Sequence, residues 1–164
     1  MAPICWLLLD FQYRDALILF LIAGASDGLD GWLAKRYGWT SRLGAILDPL
    51  ADKFMLVCSF AVLTLNGLVP VWLLALVVGR DLVIILGAIA YTLFVTRVDS
   101  VPSLISKVNT LLQIILVLVL IAAQLGSWIA PQWIDWLIVV VAATTLWSGL
   151  HYVIYWSRRL RQNV

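Results

Sequence analysis

The sequence predicts an all-α integral membrane protein, and three observations carry that expectation. Hydrophobic residues fill 63% of the 164 positions and charged residues only 12%. With a mean hydropathy of +1.02, this lies far from the roughly half-apolar, quarter-charged make-up of a soluble domain. The apolar runs are about 20 residues long, the length a helix needs to cross hydrocarbon. They also lack the strict alternation of barrel strands, and lipid admits only helices or closed barrels because any other backbone leaves polar groups unpaired.

Five full spans and a stub follow in order. The stub, Met1 to Leu9, is too short to cross a bilayer. The spans run over about 15–35, 42–65, 69–95, 103–125 and 132–156, joined by short loops in which "NGLVP" and "QLGSWIAPQ" supply turn residues. With no repeat and no low-complexity tract, the whole of 1–164 reads as a single membrane domain. The start lacks a basic region and a small-residue cleavage site, so no signal peptide is expected. Cys5 and Cys58 make no recognisable framework, and Cys58, inside an apolar run, reads as a packing thiol.

Lys and Arg set the orientation, because short loops rich in them stay on the cytoplasmic side. Lys35, Arg36 and Arg42 follow the first span, Arg97 follows the third, and Arg158, Arg159 and Arg161 lie in the tail, while the two intervening loops hold none. The net charge of +2 is too small for a nucleic-acid surface. Trp72, Trp128, Trp133, Trp136 and Trp156 fall near span ends, where interfacial aromatics settle.

Against this apolar background stands "SDGLDGWLAKRYGWTSRLGAILDPLADK", which carries Asp27, Asp30, Asp48 and Asp52. The first two are three apart and the last two four apart, so each pair shares a face of its own helix. A hairpin through the loop at Arg36 to Ser41 would bring all four together at the cytoplasmic side. Unpaired anions there cost a few kcal/mol each, so a cation is expected. All nine acids of the chain are Asp, and oxygen-only ligands select Mg²⁺ or Mn²⁺ over zinc. Gly31 and Gly44 leave room for a bulky ligand, Ala34 keeps its helix face low, and Pro49 should bend the second span beside Asp48. Spacing alone leaves open structural ion pairs with Lys53, Arg42 or Arg80, a proton or cation path, and metal-dependent chemistry.

Written as a pattern, the stretch is DxxDGxxA, then Lys35, eight residues, and GxxxDxxxD. It resembles the signature of the CDP-alcohol phosphatidyltransferase family, membrane enzymes of phospholipid synthesis with a six-helix fold and a dimeric state. "GRDLVIILGA" from Gly79 and "PSLISKVNTLLQ" from Pro102 are similar to segments of CMP-forming cardiolipin synthases. The resemblance implies a family-type helical bundle with a truncated first helix, in which two divalent ions, held mainly by Asp27, Asp30 and Asp48 with Asp52 in the same ligand set, grip the diphosphate of CDP-diacylglycerol. Asp30, Gly31, Ala34, Lys35 and Gly44 form the CDP-binding face, with Lys35 standing where the family usually has Arg, a point charge in place of a bidentate fork. Asp52 is then the general base that takes the acceptor's proton, and CMP leaves.

The acceptor implied is phosphatidylglycerol, giving cardiolipin, with glycerol 3-phosphate, as in the phosphatidylglycerophosphate synthases, as the alternative. Both carry a phosphate, for which Arg80 and Lys107 are candidate contacts; pairing of Arg80 with Asp81 is the competing reading. Ser106, Asn109, Thr110 and Gln113 recur at helical spacing, either lining the acceptor side or bonding between helices. His151 reads as a packed or interfacial residue. The expected setting is a homodimer in a bacterial cytoplasmic membrane with its active site facing the cytoplasm. A cation- or proton-coupled transporter and an inactive assembly subunit are the readings from other classes.

Overall fold

The computed structural model describes residues 2–37, 44–95, 104–126 and 129–162; within them the side chains at 2, 31, 32, 34, 35, 44–50, 88–95 and 155–162 lie outside the description. The described elements are six α-helices: α1 (Ala2–Leu9), α2 (Tyr13–Tyr37), α3 (Gly44–Leu65), α4 (Val71–Val95), α5 (Leu104–Ala123) and α6 (Pro131–Gln162). Their bounds follow the expected stub and spans closely, with one difference: α6 continues beyond Trp156 to Gln162. Arg and Leu are good helix formers, so nothing in "SRRLRQ" stops the helix. Among the described residues, α5 and the Pro131–Ile154 part of α6 are long and apolar enough to cross a membrane.

Two compact units contain these helices: Met1–Val69 with Val117–Ile129, and Pro70–Leu116 with Ala130–Val164. In the first, α1 packs on both α2 and α3. Ile4 and Leu8 of α1, Ala16 and Phe20 of α2, and Phe60 and Leu63 of α3 are buried, each pair spaced so that one helical face turns inward. The stub is therefore a packed element despite its length. Its last turn closes with Gln12 N–H donating to Leu7 O at 2.9 Å and Phe11 N–H to Leu8 O at 3.3 Å, the paired bonds of a Schellman motif. Phe11 takes the left-handed position at φ 57°.

The end of α3 uses the same device with Gly67 at φ 76°: Leu68 N–H donates to Leu63 O at 2.9 Å and Gly67 N–H to Thr64 O at 3.0 Å. Next to it, Asn66 Nδ2 donates to Leu8 O at 2.8 Å, so the two helix ends are tied by a side chain. Hydroxyls inside α3 are satisfied locally, Ser59 to Met55 O at 2.9 Å and Thr64 to Phe60 O at 2.7 Å, as apolar surroundings require.

In the second unit α4 packs on α6. The buried stripes are Leu73, Val77 and Arg80 on α4, and Val141, Thr145 and Ser148 on α6, both at i, i+4, i+7. On α5 the buried stripe begins with Asn109 and Gln113 in this unit and continues as Leu116, Val117, Leu120 and Ile121, the last three belonging to the first unit. Trp72, Trp133 and Trp136 are exposed at helix starts, as interfacial tryptophans should be; Trp128 and the side chain of Trp156 lie outside the described residues.

Gly67 offers a clean test of the α3 cap. A Cβ there would meet nothing within 4 Å, so Gly67→Ala should lower stability through backbone strain alone, by about 1–2 kcal/mol. Thermal unfolding of the detergent-solubilised variant measures it.

Candidate active site

Helix α2 runs unbroken through Tyr37, so Asp27 and Asp30 stand three apart on one helical face. Both are exposed, and among the described residues neither carboxylate has a hydrogen-bond or ion-pair partner. The backbone around them is open: a Cβ on Gly24 or Gly28 would meet nothing within 4 Å. Gly31, Ala34 and Lys35 lie on the next turn and a half of α2, with side chains outside the description.

On the other side of the signature, α3 begins at Gly44, which places Asp48 and Asp52 one turn apart on one helix. Asp52 is half-buried and takes part in a polar interaction, as does the neighbouring Lys53. The side chains of Gly44, Asp48 and Pro49 lie outside the described residues, as does Arg42, so the meeting of the four acids and the bend at Pro49 rest on the sequence. Among the described residues, no three His, Cys, Asp or Glu side chains are gathered closely enough to hold an ion. The donor set nevertheless fits a hard cation. Asp27 and Asp30 supply oxygen only and have no counter-charge among the described residues, and oxygen-only ligands suit hard divalent cations.

The other polar assembly is in the second unit. Arg80 is 5% exposed, and all three guanidinium nitrogens donate: Nη1 to Asp81 Oδ1, Nη2 to Ser106 Oγ, and Nε and Nη2 to Ser148 Oγ at 3.2 and 2.7 Å. The Asp81 contact is also an ion pair. One side chain on α4 therefore fastens α5 and α6. A cation removed from water is stable only when paired and hydrogen-bonded, and Arg80 is both. Gly149 lies against it, since a Cβ there would sit 3.6 Å from Arg80 Cγ.

One turn along α5, Asn109 Oδ1 accepts from Thr144 and Thr145 at 2.9 Å each, and Gln113 Nε2 donates to Thr145 Oγ1 at 3.4 Å. Thr110 bonds back to Ser106 O at 3.0 Å. The polar face expected on α5 is thus one that bonds between helices. Thr144 and Thr145, its partners on α6, and Ser148, which accepts from Arg80, were not singled out by sequence reasoning; Thr145 and Ser148 are three apart in an otherwise apolar run, the spacing that marks a shared helical face. Lys107 is exposed and has no partner among the described residues. His151 is exposed and edge-on to Tyr152, ring centroids 6.3 Å apart, consistent with an interfacial residue.

A scan over known families matches residues 1–147 to CDP-alcohol phosphatidyltransferase. The chain belongs to the CDP-alcohol phosphatidyltransferase family. Among curated relatives it is similar to human cardiolipin synthase (CMP-forming), 32% identical over 94% of this chain and 57% of that protein. It is also similar to a chloroplastic CDP-diacylglycerol–glycerol-3-phosphate 3-phosphatidyltransferase of rice, 34% identical over 90% of this chain and 50% of that protein. A third relative, the enzyme of the same name from Blochmanniella floridana, is 31% identical over 83% of this chain and 72% of its own length. The chain spans about half the length of the first two.

Membership leaves the acceptor open, because relatives of both kinds match at similar identity.

The Arg80 cluster predicts a large stability effect. Asp81→Asn removes the counter-charge from a buried guanidinium and should cost about 3 kcal/mol or more, seen as a lower melting temperature of the solubilised protein.

Proposed function

We propose that this family member transfers a phosphatidyl group from CDP-diacylglycerol to the hydroxyl of phosphatidylglycerol, yielding cardiolipin and CMP. The observation that carries the reading is the family signature in the sequence of α2 and α3, with Asp27 and Asp30 exposed and without a counter-charge among the described residues. Similarity of "SKVNT" to the cardiolipin synthase form supports phosphatidylglycerol, and glycerol 3-phosphate is the alternative acceptor.

Asp27, Asp30, Asp48 and Asp52 are the residues that would hold two divalent ions, Mg²⁺ or Mn²⁺. Bound there, such ions neutralise diphosphate charge and favour in-line displacement at phosphorus. Gly31, Ala34 and Gly44 leave the surface beside the acids low enough for the nucleotide, and Lys35 gives its phosphates a point charge. Asp52 accepts the proton of the acceptor hydroxyl as its oxygen attacks the phosphorus carrying the lipid. The bond from that phosphorus to the CMP oxygen breaks, and CMP departs. Lys107 is the exposed cation suited to the acceptor's phosphate, and Arg80 is a buried anchor that reaches the neighbouring Ser106 from α4.

The setting proposed is a homodimer in the bilayer, with the active site on the cytoplasmic side. Helices α2, α3 and α4 have 25, 22 and 25 residues, enough at about 1.5 Å per residue to cross roughly 30 Å of hydrocarbon alongside α5 and α6. The whole is proposed to act as one catalytic domain.

Purified protein given CDP-diacylglycerol and phosphatidylglycerol should release CMP and form cardiolipin, and chelation of divalent ions should stop it. Asp52→Asn should lower turnover by roughly 10²–10⁴-fold, the span of a lost general base. Replacing phosphatidylglycerol by glycerol 3-phosphate and identifying the lipid formed decides the acceptor. No CMP with any alcohol and no effect of Asp52→Asn would remove the enzyme reading.

A further inference from the structure

Helix α1 has only 8 residues, too few to be stable alone, so its place depends on what ties it to its neighbours. Burial of Ile4 and Leu8 is one tie. The bond from Asn66 Nδ2 to Leu8 O is another. The chain's two cysteines supply a third: Cys5 of α1 and Cys58 of α3 are free thiols, each half-buried, and their side chains are hydrogen-bonded to one another across two helices that pack together.

Helical register accounts for the meeting. Cys5 shares a face with Leu8, three residues on, and Cys58 shares one with Val62, four residues on, the spacings at which helical side chains are neighbours. Leu8 and Val62 are both buried, so each thiol stands beside a packed position of its own helix. The pair does not make a metal site. A structural metal needs about four ligands, and among the described residues no third His, Cys, Asp or Glu is gathered beside the two sulfurs. Thiols already in hydrogen-bond contact have only a short gap to close before they bond covalently.

We propose that Cys5 and Cys58 are a disulfide-forming pair, a covalent staple between α1 and α3. The oxidant is a low-molecular-weight disulfide. One cysteine, as its thiolate, attacks a sulfur of the oxidant and displaces one thiolate; the other cysteine then attacks the mixed disulfide and displaces the second. The two cysteine sulfurs are oxidised, the two sulfurs of the oxidant are reduced, and the two protons pass to the thiols released. The ring so closed contains all of α2 and the acids Asp27, Asp30, Asp48 and Asp52, and a long ring restricts the unfolded chain more than a short one. The orientation proposed above turns the end of α3 that adjoins the Lys- and Arg-free loop at 66–70 away from the cytoplasm, toward the side on which disulfides persist. The inference stands on the packing of the first unit and makes no use of the phosphatidyltransferase reading.

The purified chain in detergent, fully reduced and then treated with the disulfide of mercaptoethanol, tests it. Its intact mass should fall by two hydrogen atoms, its cysteines should stop reacting with maleimide after denaturation, and digestion should yield one fragment that joins Cys5 to Cys58. The oxidised protein should melt about 5–10 °C above the reduced protein, and dithiothreitol should abolish the gain. Cys5→Ala and Cys58→Ala should each show no gain on oxidation. Thiols that still react with maleimide, cross-links between two copies of the chain, a closed bond with no rise in melting temperature, or a gain that persists in either variant would each overturn the staple. The central comparison is between two redox states of the wild type, so it does not depend on a variant folding, and CMP release plays no part in it.

Discussion

Hydrocarbon offers no water to an unpaired polar group, and that one constraint arranges most of what is distinctive in this chain. Its polar side chains are few, and nearly every buried one among the described residues is spent. Ser59 and Thr64 turn back onto their own helix. Asn66 caps the end of the short first helix through Leu8 O. Arg80, the most expensive of them, is surrounded by a carboxylate and two hydroxyls. Stability and polarity are reconciled by pairing, so a polar atom without a partner becomes informative.

Among the described residues two places depart from that pattern, and they differ in kind. Asp27 and Asp30 are charged, exposed and open to the surroundings of α2, a condition that invites a cation and its phosphate ligands. Asn109 Nδ2 is neutral and buried, without a partner among the described residues, and the charge of its seam is balanced by the Arg80–Asp81 pair. The acids lie in the first compact unit and the amide in the second.

Much of the fold was legible because the hydrophobic runs are long and the polar residues that end them are sharp. Helix α3 begins at Gly44 and ends at Leu65, where the run starts after Arg42 and stops before "NGLVP". The extension of α6 to Gln162 was not, since Lys/Arg clusters mark a membrane boundary without breaking a helix. In the site, residue type and spacing were enough to single out the four acids and the polar face of α5. The partners of that face were invisible, because a Thr or Ser in an apolar helix bonds its own backbone as readily as a neighbour, and spacing cannot distinguish the two.

The sequence by itself determined the helices and the family: composition and run length point to lipid, and a string of aspartates and glycines at fixed separations carries the family signature. Only the tertiary structure decided which polar groups cancel one another. Whether Arg80 is bound by Asp81 or free, and whether the Asn109 amide is fully paired, depends on what α4, α5 and α6 bring within about 3 Å, the reach of a hydrogen bond, and side-chain partners across helices are not written in the order of residues along any one of them.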